Sequence, residues 1–97
     1  MNTDSYYRGG PSMKPTLRDV RFDRATGLLL TTHGVSVFNR PDNLDRFGGA
    51  YRLTFVPVEL TIVRRGLDPS HFEVVPIQPM TMQEYEEALE RIVLVQV

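Results

Sequence analysis

Three short segments in the second half of the chain alternate apolar and polar residues, and glycine or proline lies close to each end of them. They are residues 51–55, 58–62 and 72–76. A period of two places apolar side chains on one face of a β-strand and polar side chains on the other. Shorter apolar stretches at 20–22, 28–31 and 35–38 indicate further strands, the first two joined as a hairpin by a turn at Gly27. We therefore expect a small sheet of five or six strands, mostly antiparallel or mixed.

One helix is predicted, close to the C-terminus. Thr81 and Glu84 have the spacing of a capping box, in which each side chain binds a free backbone amide of the other residue. The apolar residues that follow recur on one helical face: Tyr85, Ala88, Leu89 and Ile92. Residues 93–97 are rich in valine and are expected to leave the helix as a tail or an edge strand. Together, the strands and the helix predict an α+β fold.

A chain of 97 residues is long enough for one domain. Glycine and proline are frequent in residues 1–16, which predicts a flexible N-terminal arm followed by a single α+β domain at 17–97. The absence of cysteine excludes disulfides and thiolate metal sites. No aliphatic run is long enough to span a membrane, and no apolar signal segment is visible. We therefore expect no membrane association and no Sec-type export.

Positive charge is concentrated towards the front of the chain. Residues 1–65 hold ten basic and six acidic residues, whereas residues 66–97 hold one basic and six acidic. Ten of the eleven basic residues are arginine, whose guanidinium pairs well with phosphate or carboxylate groups. The front half either binds an anion such as a nucleotide or presents solvated strand faces. No dense basic run is present, so nucleic-acid binding is not expected.

Few residues have a spacing that indicates chemistry. The two histidines, His33 and His71, form no metal-binding motif, and no metal site is predicted. His71 and Glu73 are two residues apart and share one strand face, where they either contact one substrate or are simply solvated. Near the start, Tyr7 and Arg8 place an aromatic ring beside a cation. That pair either holds a dinucleotide or belongs to an unstructured leader.

Three ordered blocks resemble a known toxin family. Residues 32–40, Thr-His-Gly-Val-Ser-Val-Phe-Asn-Arg, resemble a Gly-Gly-Thr-Ser-Val-Phe-Asp-Arg segment. Residues 56–62 resemble an Ile-Pro-x-x-Leu-x-Val segment, and residues 71–80 a His-Tyr-Thr-Ile-x-Pro-x-x-Pro-Met segment. In this order, the segments are typical of the ADP-ribosyltransferase-like, NAD-dependent cytotoxic effectors of type VI secretion systems.

The resemblance implies an ADP-ribosyltransferase-like fold that uses NAD in the cytoplasm of a bacterial cell, and a cognate antitoxin or immunity protein as partner. By position, it implies catalytic roles for Ser36 and His71. It also implies NAD-binding roles for Tyr7 and Arg8, and strand geometry adds Glu73 to that set. Whether the chain is an enzyme is left open, because a non-catalytic interaction module of the same fold and a weak nucleotide- or RNA-binding domain are alternatives.

Overall fold

Six strands and one α-helix form the regular structure of residues 4–97, the part of the chain that the computed structural model describes. The strands are β1 (Tyr7–Gly9), β2 (Val35–Phe38), β3 (Ala50–Phe55), β4 (Leu60–Arg64), β5 (His71–Pro76) and β6 (Val93–Gln96). The helix, α1, is Met82–Glu90, and short 3₁₀ turns occur at Leu17–Asp19 and Asp45–Phe47. The protein is thus a small α+β domain, as the sequence predicted.

All the strands lie in one sheet, in the order β4-β5-β2-β1-β3-β6. Every pairing between neighbours is antiparallel, so the sheet is not mixed. Within it, β2 pairs with β5 over its full length, from Val35 opposite Val74 to Phe38 opposite His71. The strand predicted at residues 58–62 begins later, at Leu60, because the Leu60 amide closes a turn on the Pro57 carbonyl.

The predicted arm at residues 1–16 is wrong from Tyr7 onward. In the structure, β1 lies between β2 and β3 near the middle of the sheet, and Met13 is buried in the core. Three residues are too few to show an alternating pattern, and this strand depends on two neighbours far along the chain. Residues 1–3 of the predicted arm lie outside the described residues.

The predicted hairpin at residues 20–31 is reduced to a single bridge between Phe22 and Leu29. Its turn is as expected, since Gly27 has a φ of +73°. Leu29 also forms a bridge to Met80, so this segment pairs with the residues just before α1 and does not continue as a strand.

The apolar stripe of α1 packs on one face of the sheet, as predicted. Tyr85, Ala88 and Leu89 of α1 are buried together with Val35, Val37 and Val74, and the fourth predicted residue, Ile92, is buried with them just past the end of the helix. The capping box is also confirmed: Thr81 Oγ1 accepts from the Glu84 amide at 3.1 Å, and Glu84 Oε1 accepts from the Thr81 amide at 2.8 Å. Hydrogen bonding to Thr81 lowers the pKa of Glu84. The alternate residues of β2 and β5 therefore lie on the opposite face, which α1 leaves open.

Within residues 4–97, no helix is both long enough and apolar enough to cross a bilayer.

Candidate functional site

Ser36 and His71, 35 positions apart in sequence, meet on the face of the sheet opposite α1. Because β2 and β5 are neighbours, with Ser36 opposite Glu73 and Phe38 opposite His71, the two side chains lie diagonally across one pair of strands. The distance from Ser36 Oγ to His71 Nε2 is 2.9 Å. The structure thus brings together the two residues to which the resemblance assigned catalytic roles.

The other ring nitrogen of His71 fixes its tautomer. His71 Nδ1 lies 2.8 Å from the backbone carbonyl oxygen of Arg65, which can only accept a hydrogen bond, so Nδ1 carries a proton. In the neutral ring Nε2 is then the acceptor, and the Ser36 hydroxyl donates to it. This contact polarises the O–H bond of Ser36. The edge of the Phe38 ring meets the imidazole at a centroid distance of 5.7 Å.

Glu73 is the one buried charged side chain among the described residues, with 6% of its surface exposed. Its Oε1 accepts from the Gly34 amide at 2.9 Å and pairs with Arg65 Nε at 3.0 Å. Its other oxygen, Oε2, lies 3.8 Å from His71 Nε2. One carboxylate oxygen is thus tied to the protein, and the other faces the Ser36–His71 contact.

These residues border a groove of about 310 Å³, here called the Ser36–His71 groove. Its lining residues are Arg8, Gly9, Ser36, Phe38, Phe47 and His71. Phe47 closes one side by lying against Gly9, where a Cβ atom would be only 2.6 Å from the phenyl ring. Arg46 lies over the same ring, 4.8 Å from its centroid. The groove therefore combines aromatic walls with the hydrogen-bonding groups of Ser36 and His71, and the Arg46 guanidinium lies over the Phe47 ring of one wall.

Arg8 borders the groove, but its side chain lies on the α1 face: Tyr7 is opposite Phe38 on the open face, so the neighbouring Arg8 points the other way. Its Nη1 donates to the Ser36 carbonyl at 2.9 Å and its Nε to the Ser12 carbonyl at 3.0 Å. Desolvation by burial lowers the pKa of Arg8. The Arg8 guanidinium therefore holds the backbone at Ser36 from the α1 face and is not directed into the groove.

The position of Ser36 depends on how the start of β2 is held. At Gly34 a Cβ atom would lie 1.8 Å from the Val74 carbonyl oxygen, so the close approach of β2 to β5 requires glycine. The next amide, that of Val35, donates to the Tyr85 hydroxyl at 3.0 Å. Together with the bond from Gly34 to Glu73, this contact fixes the backbone immediately before Ser36.

Of the five predicted site residues, Arg8, Ser36 and His71 line the groove. Glu73 lies beside it, and Tyr7 pairs with Phe38 and so shares the open face of the sheet. The sequence analysis missed Phe38, Phe47 and Arg65. Alternation in β2 places Phe38 on the same face as Ser36, and Phe47 belongs to a turn-rich loop of a length that is often functional. No sequence signal identifies Arg65.

The second histidine, His33, contacts Thr32 Oγ1 through Nδ1 at 2.8 Å, and burial lowers its pKa. Among residues 4–97, no group of three or more acidic or histidine side chains is arranged to hold a metal ion.

Comparison with protein families, with curated proteins and with solved structures finds no match to this chain.

Proposed function

We propose that the chain is a small ADP-ribosyltransferase-like toxin that binds NAD in the Ser36–His71 groove and uses it to modify a target in the cytoplasm of a bacterial cell. The observation that carries this proposal is the contact of 2.9 Å between Ser36 Oγ and His71 Nε2. The two residues come from separate blocks of the resemblance, and nothing in their local sequence requires them to touch.

The residues of the groove fit the nicotinamide riboside part of NAD. A volume of about 310 Å³ is at the lower end of small-molecule sites, which are roughly 300–1,000 Å³. Phe38 and Phe47 offer aromatic surfaces for the nicotinamide ring, and Ser36 and His71 offer partners for ribose hydroxyls. The Arg46 guanidinium, which lies over the Phe47 ring beside the groove, supplies positive charge for the diphosphate.

NAD supplies an N-glycosidic bond to nicotinamide, and its cleavage leaves positive charge on the ribose. Glu73 places one carboxylate oxygen towards the groove, where negative charge favours that change. The Ser36 hydroxyl donates a hydrogen bond to His71 Nε2, which raises the electron density on the Ser36 oxygen. This oxygen borders the same groove and favours the same change. The bond from His71 Nδ1 to the Arg65 carbonyl holds the imidazole in the orientation that this arrangement needs.

The direct test is release of nicotinamide from NAD by the purified chain, followed by chromatography. We expect activity in the wild type and a loss of at least tenfold in Ser36→Ala and in His71→Ala. His33→Ala is the matched control, because it removes the other histidine and is expected to keep the activity. Equal rates in all four proteins would contradict the proposal.

A second test addresses the toxin and its partner. Expression of the wild-type chain in bacteria is expected to arrest growth, whereas His71→Ala is expected to be harmless. Co-expression of the product of the neighbouring gene should restore growth and should co-purify with the chain if it is the cognate immunity protein. Equal harmlessness of wild type and variant would count against a toxin.

The engagement of Glu73 favours one alternative, a non-catalytic interaction module of the same fold. Its Oε1 is already bound by Gly34 and Arg65, as in a structural ion pair. Titration of NAD by calorimetry separates the two functions. A module that does not use NAD shows no heat of binding, whereas the proposed toxin binds NAD and loses that binding in His71→Ala.

A further inference from the structure

β6 forms one edge of the sheet, and its outer side pairs with no described strand. The Val97 amide donates to the Ala50 carbonyl at 3.1 Å, which shows that β6 directs the backbone groups of Val95 and Val97 towards β3. In an antiparallel pair the intervening residues direct theirs away, so the amides and carbonyls of Leu94 and Gln96 point outward. These groups are a template for one further strand.

The sequence of β6 lacks two of the usual protections of an edge strand. Residues 93–97 contain no proline and no charged residue, both of which discourage pairing at natural edges. Val93, Val95 and Val97 are between 45% and 64% exposed. A β-branched strand would pack its own apolar residues beside these valines on the open face.

On the other face, β6 borders a groove of about 490 Å³ between α1 and residues 11–15, here called the α1–β6 groove. Leu89, Ile92 and Leu94 supply apolar lining. Two glutamates one helical turn apart, Glu86 and Glu90, line the α1 side, and Lys14 is the one opposing charge. The groove therefore has a mixed polar and apolar lining and carries a net negative charge.

We propose that the outer edge of β6 and the α1–β6 groove together bind an extended segment of a partner protein in which basic residues alternate with β-branched ones. Residues of that segment opposite Leu94 and Gln96 share their face and point towards α1. Lysine or arginine at those positions lays its aliphatic stem over the half-buried Leu94 and brings its charge to Glu86 and Glu90. The residue between them lies beside Val95. Strand addition supplies affinity and alternate side chains supply specificity.

The probe is a fluorescein-labelled synthetic peptide, Thr-Val-Arg-Val-Lys-Val-Thr, and the readout is fluorescence anisotropy with the full chain. A peptide with glutamate in place of its two basic residues is the comparison. We expect the wild type to bind the basic peptide at least about tenfold more tightly than the acidic one, because like charges across an interface are unfavourable. The double variant Glu86→Lys/Glu90→Lys is expected to reverse that preference. Glu87→Lys, on the same helix but outside the groove, should leave it unchanged.

A second pair of variants tests strand addition itself. Gln96→Pro removes an amide that points outward, which an edge strand tolerates, and is expected to abolish binding of the basic peptide. Gln96→Ala keeps the amide and should bind as the wild type does. Circular dichroism confirms that both variants fold.

Three results would overturn the proposal. One is that the anisotropy of the basic peptide does not change when the wild-type protein is added to millimolar concentration. Another is that the double variant Glu86→Lys/Glu90→Lys, in which both charges are reversed, still prefers the basic peptide. The third is a wild-type dimer in sedimentation equilibrium that Gln96→Pro converts to a monomer, because the edge of β6 would then belong to a second copy of this chain.

Discussion

Removal of one hydroxyl, in Tyr85→Phe, tests whether α1 holds the junction of β2 and β5. The Tyr85 hydroxyl donates to the Val74 carbonyl at 2.6 Å and accepts from the Val35 amide at 3.0 Å. The side chain is fully buried, so water cannot replace the lost contacts without a rearrangement. Phenylalanine keeps the ring and its packing while leaving both backbone groups without this partner.

The magnitude follows from these two groups. A buried donor or acceptor left without a hydrogen bond costs about 1–3 kcal/mol, so Tyr85→Phe is expected to lower the free energy of unfolding by about 2–5 kcal/mol. Small domains have total stabilities of about 5–15 kcal/mol, so this loss is a large share. For a domain of this length it corresponds to a fall in Tm of about 10 °C or more.

The assay is urea unfolding followed by circular dichroism, with Tyr51→Phe as the matched control. Tyr51 is half-buried, and its hydroxyl has no hydrogen bond to any of residues 4–97, so its replacement should change the free energy of unfolding by less than about 0.5 kcal/mol. A loss in Tyr85→Phe no larger than that of the control would refute the reasoning about the junction.

The same residue predicts a response to alkaline pH. Burial raises the pKa of Tyr85 above its usual value of 10.0. The unfolded chain therefore loses this proton at lower pH than the folded one. Stability from Tyr85 is complete below pH 10 and falls as pH rises above it, by about 1.4 kcal/mol per pH unit. In Tyr85→Phe this part of the decline should be missing, and an unchanged alkaline slope would contradict it.

Three further changes test the fold and the site. Gly34→Ala is expected to destabilise the domain by about 3 kcal/mol in urea unfolding, because the added Cβ overlaps the Val74 carbonyl; an unchanged midpoint would show that β2 can move away. The stabilisation from the capping box should begin to decline below about pH 4.5, the ordinary pKa of a glutamate, and be lost as pH falls through the lowered pKa of Glu84 in the folded state; the helical signal of Glu84→Ala should lack this acid step. A chain truncated to residues 10–97 lacks β1 and is expected to give no cooperative thermal unfolding, whereas a native Tm would restore the interpretation of this segment as an arm.

Local patterns predicted the elements that depend on near neighbours in sequence. The capping box at Thr81 and the apolar stripe of α1 need only residues three or four apart, and both are present in the structure. β3 and β5 were predicted because alternation over five or six residues is visible in the sequence itself. The edge strand β6 was one of two expected outcomes for residues 93–97.

The candidate site was predicted in part. Ser36 and His71 were selected by resemblance, and His71 and Glu73 were placed on one face by alternation. That Ser36 lies beside His71 depends on the adjacency of β2 and β5, which no local pattern specifies. Arg65 joins the site from the end of β4, and its sequence context is that of any turn.

The sequence by itself determined where α1 begins, which side of it is apolar and which residues alternate in the longer strands, because these properties arise between residues close along the chain. Tertiary structure decided that Tyr7–Gly9 is a central strand, that Gly34 touches β5 and that Ser36 meets His71. Each of these depends on pairing between segments separated by tens of residues. The free energy of such pairing comes from neighbours that only the folded chain brings together.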